Sequence, residues 1–142
     1  MVQKDKDLLL KDICARLPYG VKVESVFINP DTKEHKSCGI EVFDATSMLM
    51  IRDGLGEFKP YLFPISSMSE EQKYDFYCRF IENDCDFDDF NEFYLDNGMW
   101  HKLFTSFDDI EAIIDWFHKN HIDYRGLIPM GLANDATELN IY

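Results

Sequence analysis

The stretch IENDCDFDDFNEFYLDNGMW, residues 81–100, holds seven carboxylates and five aromatic side chains without one Lys or Arg. No fold can bury both sets, because unpaired carboxylates stay ionised only in contact with water while large rings are driven out of it. The segment must therefore form an element with two unlike faces. Phe87, Phe90 and Tyr94 stand at i, i+3 and i+7, with Asp88, Asp89 and Glu92 mainly between them. That spacing predicts an amphipathic helix with an aromatic inner face and a carboxylate outer face. Asp84 and Asp86 fall at its start, where backbone N–H groups and the helix dipole favour anions. A solvated helix face accounts for much of the run. The functional alternative is a surface for a basic partner, carried by Asp88, Asp89 and Glu92.

The rest of the chain supplies the body against which such a helix packs. Its 142 residues fit one domain, 1–142, and 46% are hydrophobic, which excludes a disordered chain despite the net charge of −13. Lys6, Lys11, Asp12 and Arg16 lie off the stripe of Leu9, Leu10, Ile13 and Leu17, giving a helix over 5–17 stopped by Pro18 and Gly20. VKVESVFI reads as a strand whose alternation slips near Ser25, the mark of a bulge. NPDTKEHK is a polar loop, and SCGIEVFD and SMLMIRD read as further strands of a meander. FKPYLFPISSM, broken by Pro60 and Pro64, fits an edge strand or a crossing segment.

Helices dominate the second half of the chain. Ser67 with Glu70 and Ser69 with Gln72 form overlapping capping-box patterns ahead of Tyr74, Phe76, Tyr77, Phe80 and Ile81. A last strong helix spans 107–120, with Ile110, Ile113, Ile114 and Phe117 inward, Ser106 as cap, Asp108 and Asp109 at its positive end, and His118 and Lys119 at its negative end. YRGLIPMGLA is expected to add a short helix from Leu127. The predicted fold class is α+β: an N-terminal helix, an antiparallel meander of three or four strands, and a helical C-terminal half.

Charge narrows the partners. Residues 1–79 hold thirteen acids and eleven bases, a balance of −2. Residues 80–142 hold fourteen acids against Lys102, Lys119 and Arg125, a balance of −11. Phosphate binding needs clustered Lys and Arg, so direct nucleic-acid binding is not expected, whereas a basic protein partner is attracted. No apolar run reaches the roughly 20 residues of a membrane span. The opening MVQKDKDLLL is too short of apolar residues for a signal peptide. Cys14, Cys38, Cys78 and Cys85 show neither a C-x-x-C pair nor zinc spacing, and are expected reduced, mostly buried and cytoplasmic.

Motifs for chemistry are sparse. Asp84, Asp86 and Asp88 match the first ligands of a calcium loop, but Asp89 stands where that loop needs Gly and Leu95 where it needs Glu. Asp115, His118 and His121 drift around a helix end, which favours two partly exposed histidines over a metal site. No metal or cofactor is therefore expected. No G-x-S-x-G, phosphate loop or dinucleotide fingerprint is present, so no catalytic residue is assigned. Arg125, between Tyr124 and Gly126, is a rare cation in the acidic half. A guanidinium clamped by local carboxylates is the favoured reading; the alternative makes Tyr124 and Arg125 an anchor for an anionic ligand or a partner's carboxylate.

Three stretches, LLLKDICARLPYGVK, KPYLFPISSMSEEQK and IDWFHKNHIDYRGLIPMGLANDAT, together resemble a family of small acidic proteins from gut Bacteroidales and their phages and mobile elements. The resemblance covers about half the chain, with residues 123–133 its most distinctive part. It implies a bacterial or phage-infected cytoplasm and an accessory gene, and it carries no activity or catalytic residues. Three functions are compatible with these features: a non-catalytic interaction module, an acidic decoy that imitates nucleic acid, and a small enzyme with a dispersed site.

Overall fold

A computed structural model describes residues 2–97, 99–103 and 107–142; the cap expected at Ser106 lies outside them. The chain forms two compact units, Met1–Leu62 with Gly126–Tyr142, and Phe63–Arg125. The fold class is α+β, with an N-terminal helix, then strands, then a helical second half.

In the first unit α1 spans Gln3–Arg16 and ends, as Pro18 and Gly20 require, in a tight turn at Leu17–Tyr19. Ile13 is fully buried. So are Asp12 and Arg16, which the spacing places on the wet side. One helical turn apart, they pair, Arg16 Nε donating to Asp12 Oδ2 at 2.7 Å. β1 (Lys22–Ile28) pairs antiparallel with β2 (His35–Val42), and the register shifts opposite Ser25 and Val26. The extra residue is Cys38 of β2, not one of β1 as the alternation suggests, and β1 pairs in unbroken register on its other side.

The expected strand SMLMIRD is instead α2, Ala45–Arg52. Asp44 decides it. Its carboxylate accepts from the Ser47 amide at 3.0 Å while the Ser47 hydroxyl accepts from the Asp44 amide at 3.2 Å, a reciprocal cap that starts a helix. A short apolar run is compatible with either element, and the cap outweighs it.

With α2 inserted, β3 (Gly56–Pro64) returns alongside β1 rather than β2, so β1 is central and β2 lies at the edge. Over residues 56–60 β3 pairs only with β1 among the described residues, so this half is an edge as Pro60 suggests, and the strand then crosses from the first unit into the second. Val23 directs its backbone groups to β2, so its partner Pro60 sits in a non-hydrogen-bonded pair where a missing N–H removes no rung. Tyr61 and Leu62 of β3 then pair parallel with β5 (Asn134–Asp135). Where the β1–β3 ladder would continue, the Tyr142 hydroxyl accepts from the Lys22 amide at 2.8 Å and donates to the Tyr61 carbonyl at 2.7 Å. The expected helix from Leu127 is a set of turns, closed by Gly131 N–H to Ile128 and Leu132 N–H to Leu127. The core of this unit joins Ile13, Val21, Val23, Phe43, Phe58, Leu62 and Leu127.

In the second unit the last two residues of β3 pair parallel with β4 (Ile122–Asp123). α3 (Glu70–Phe80) starts at Ser69, whose hydroxyl and Gln72 complete one of the two expected capping boxes. A short α4 (Phe87–Asp89) runs into a π-helix, Phe90–Leu95, and α5 spans Phe107–Lys119. Aromatic rings hold these together. Phe76 stacks on Phe117 at 5.3 Å and on Phe90 at 5.7 Å, and meets the edge of Trp116 at 5.1 Å. Such pairs add about 0.5–1.5 kcal/mol each beyond the area they bury.

Candidate functional site

The carboxylate run 82–96 of the second unit is built as the spacing predicts on one side and differently on the other. Asp86 caps α4, accepting from the Asp89 amide at 2.9 Å. Phe90 is fully buried, Phe87 and Tyr94 are half-buried against the same core, and Asp88, Asp89 and Glu92 are exposed. The π-helix departs from the single amphipathic helix that the spacing predicts. Its i→i+5 bonding, as in Asp96 N–H to the Asn91 carbonyl at 3.0 Å, turns Phe90 and Leu95 to the core together. The same winding leaves Phe93 outside, 54% exposed beside Glu92.

All seven carboxylates of the run, Glu82, Asp84, Asp86, Asp88, Asp89, Glu92 and Asp96, are exposed, and none forms an ion pair among the described residues. Their field is felt by their neighbours. Burial, followed by the charges of Asp86, Asp89 and Asp84, pushes the Cys85 thiol up. Burial and then Glu82 likewise push up the Tyr77 hydroxyl, which donates to the Cys85 carbonyl at 3.0 Å. Tyr74 is 56% exposed and sets its ring against Phe87 at 5.5 Å, at the start of the acidic turn. Its hydroxyl is pushed up by a hydrogen bond with Cys78 and by the adjoining charges. The face is thus anionic and also aromatic, since Tyr74 and Phe93 offer ring surface beside carboxylates.

On the other side of α3, Asp75 is engaged internally. Although burial pushes its carboxyl up, hydrogen bonds from Arg79 at 2.9 Å and the Trp116 indole at 3.1 Å outweigh it and hold the group below the usual carboxylate range. Neither Asp75 nor Trp116 carries a motif in the sequence, and only the fold joins them.

Tyr124 and Arg125 form a separate cluster. The Tyr124 ring stacks on Phe117 at 5.5 Å, its hydroxyl meets His118 Nε2 at 2.9 Å, and the Arg125 guanidinium carbon lies 5.0 Å from the ring centre. His118 is buried rather than partly exposed, because Tyr124 covers it. No hydrogen bond or ion pair joins this cluster to Asp88, Asp89 or Glu92.

The described residues hold no group of three or more His, Cys, Asp or Glu placed to bind a metal ion. A cleft of about 850 Å³ in the first unit runs along α1, β1 and β3. Its polar lining is Gln3, Lys6, Asp7, Glu24, Glu57 and Lys59. The cysteines are not mostly buried: Cys38 and Cys78 are exposed, Cys14 and Cys85 are half-buried, and all four are free thiols. Among the described residues no helix is long and apolar enough to cross a membrane. Compared with protein-family models, with curated proteins and with solved structures, the chain finds no match.

Proposed function

We propose that this protein is a non-catalytic interaction module of the cytoplasm, one that docks a basic segment of a partner protein on the acidic face of its second unit. The observation that carries the reading is the set of seven exposed carboxylates with no internal cation among the described residues. Like charges this close repel one another, and a cationic partner relieves that repulsion while gaining charge-assisted hydrogen bonds. Tyr74 and Phe93 favour Arg over Lys in the partner, because a planar guanidinium stacks on a ring while its N–H fork meets a carboxylate. An accessory role in a bacterial or phage-infected cell is the setting that the sequence resemblance suggests.

The test is fluorescence anisotropy with a labelled oligo-arginine peptide, and oligo-lysine as comparison. Binding should be tighter for arginine, should weaken steadily with added salt, and should be lost in Asp88→Asn/Asp89→Asn/Glu92→Gln. Tyr74→Ala/Phe93→Ala should erase the arginine preference while leaving salt-sensitive binding of both peptides. Undiminished binding by the triple variant, or no binding at low salt, would reject the proposal.

A further inference from the structure

The outer edge of β2 is self-complementary, and we propose that it pairs with β2 of a second copy of this chain, antiparallel about a two-fold axis, with Lys36 opposite Glu41. β2 closes one end of the sheet, and all eight of its residues are exposed. In an antiparallel ladder, residues alternate between those whose backbone groups face the neighbour and those whose groups face away. The Phe43 amide donates to the Val21 carbonyl, so Glu41 and Gly39 also face β1, while Ile40 and Val42 face away. At the other end the Asn29 amide donates to the Glu34 carbonyl, so Lys36 faces β1 while His35 and Ser37 face away.

The bulge makes this edge match itself. Cys38 is the extra residue, and Gly39, at φ +82°, takes a left-handed conformation that other residues adopt only with strain. Without the insertion Lys36 and Glu41 would lie on opposite faces of the sheet. With it they share one, since Lys36 stands opposite Phe27 and Glu41 opposite Val23. A second β2, turned about an axis between Cys38 and Gly39, then aligns the outward-facing residues in hydrogen-bonded pairs, His35 with Val42 and Ser37 with Ile40. Between them Lys36 meets Glu41 twice, in the non-hydrogen-bonded pairs where side chains approach most closely. The two bulges face each other at the axis. Ile40 and Val42, 47% and 51% exposed in the single chain, gain cover on the opposite face. Charges and a bulge on an edge strand also serve to keep other strands away. Here the charges are of opposite sign and fall where a two-fold axis brings them together, which attracts a second copy where an all-lysine edge would repel it.

Sedimentation equilibrium of the intact protein, in reductant because Cys38 lies beside the axis, tests the pairing. The wild type should associate reversibly to a dimer. Lys36→Glu and Glu41→Lys should each raise the dissociation constant about tenfold or more, since both change two attractive pairs into repulsive ones. The double variant Lys36→Glu/Glu41→Lys should associate as the wild type does. An equimolar mixture of the two single variants should also associate, because every charge then meets its opposite. Circular dichroism should show the same fold for each variant, as both side chains are exposed. A wild type that stays monomeric, or a Lys36→Glu protein that dimerises as well as wild type, would overturn the proposal.

Discussion

Replacing Asp12 with Ala should be among the most damaging single changes outside the aromatic core. Asp12 and Arg16 sit one turn apart in α1 with neither side chain exposed, joined at 2.7 Å and 3.3 Å. On a helix surface an i,i+4 ion pair contributes about 0.3–0.5 kcal/mol. Out of water the balance differs, because a guanidinium that loses its carboxylate keeps its desolvation cost. Breaking such a pair costs about 3–5 kcal/mol, a large share of the roughly 5–15 kcal/mol that holds a domain folded. With an unfolding slope of about 1–3 kcal/mol per molar urea, the midpoint should fall by about 1–5 M. Replacing both partners, Asp12→Ala with Arg16→Met, should recover part of that loss, since no unpaired guanidinium is then left buried. Urea unfolding should be followed by circular dichroism, because Trp100 and Trp116 both belong to the second unit and report on that unit alone. If Asp12→Ala lies within about 1 kcal/mol of wild type, the pair is solvated and the reasoning fails.

Phe90→Ala should cost about 3–5 kcal/mol in the same assay, whereas Asp88→Asn/Asp89→Asn/Glu92→Gln should leave stability equal or slightly higher; a triple variant that unfolds would make those carboxylates structural. Burial pushes the Tyr142 hydroxyl up to about 12, against the Lys22 hydrogen bond and the charge of Arg16. Unfolded tyrosine ionises near 10, so the stability Tyr142 contributes is present below about pH 10 and is lost as pH rises from there through 12. A tyrosinate absorbance titration should therefore contain a late step that vanishes in Tyr142→Phe, and a Tyr142 that ionises with exposed tyrosines would contradict this. Thiol labelling of the native protein should find Cys38 and Cys78 fast and Cys14 and Cys85 slow, the latter pair half-buried and held protonated first of all by that burial; four equal rates would refute the assignment.

The elements legible in the sequence are those that local chemistry decides. Ser69 with Gln72, the stop at Pro18 and Gly20 and the stripe of α5 are each settled by a few neighbouring residues, and each stands where the sequence places it, whereas the bulge expected near Ser25 of β1 is made by Cys38 of the facing strand. α2 is legible too, but in Asp44 and Ser47 rather than in its apolar run, which suits a strand equally well. The remainder depends on the fold. Asp12 and Arg16 read as polar surface because nothing nearby shows that the chain will cover them. The π-helix reflects a core that takes both Phe90 and Leu95, residues five apart that an α-helix would turn to different sides. Of the candidate site, the exposure of Asp88, Asp89 and Glu92 is dictated by their charge; the exposure of Phe93 and Tyr74, which gives the face its aromatic component, is not.

The most direct measurement is a map of amide chemical shifts in the ¹⁵N-labelled protein during titration with oligo-arginine. If the acidic face of the second unit is the docking surface, the shifts that move should cluster on residues 82–96 and on α3 around Tyr74, should saturate together, and should collapse as salt is added. Shifts spread evenly over every exposed carboxylate, or centred on the first unit, would show attraction by net charge alone and would contradict the account.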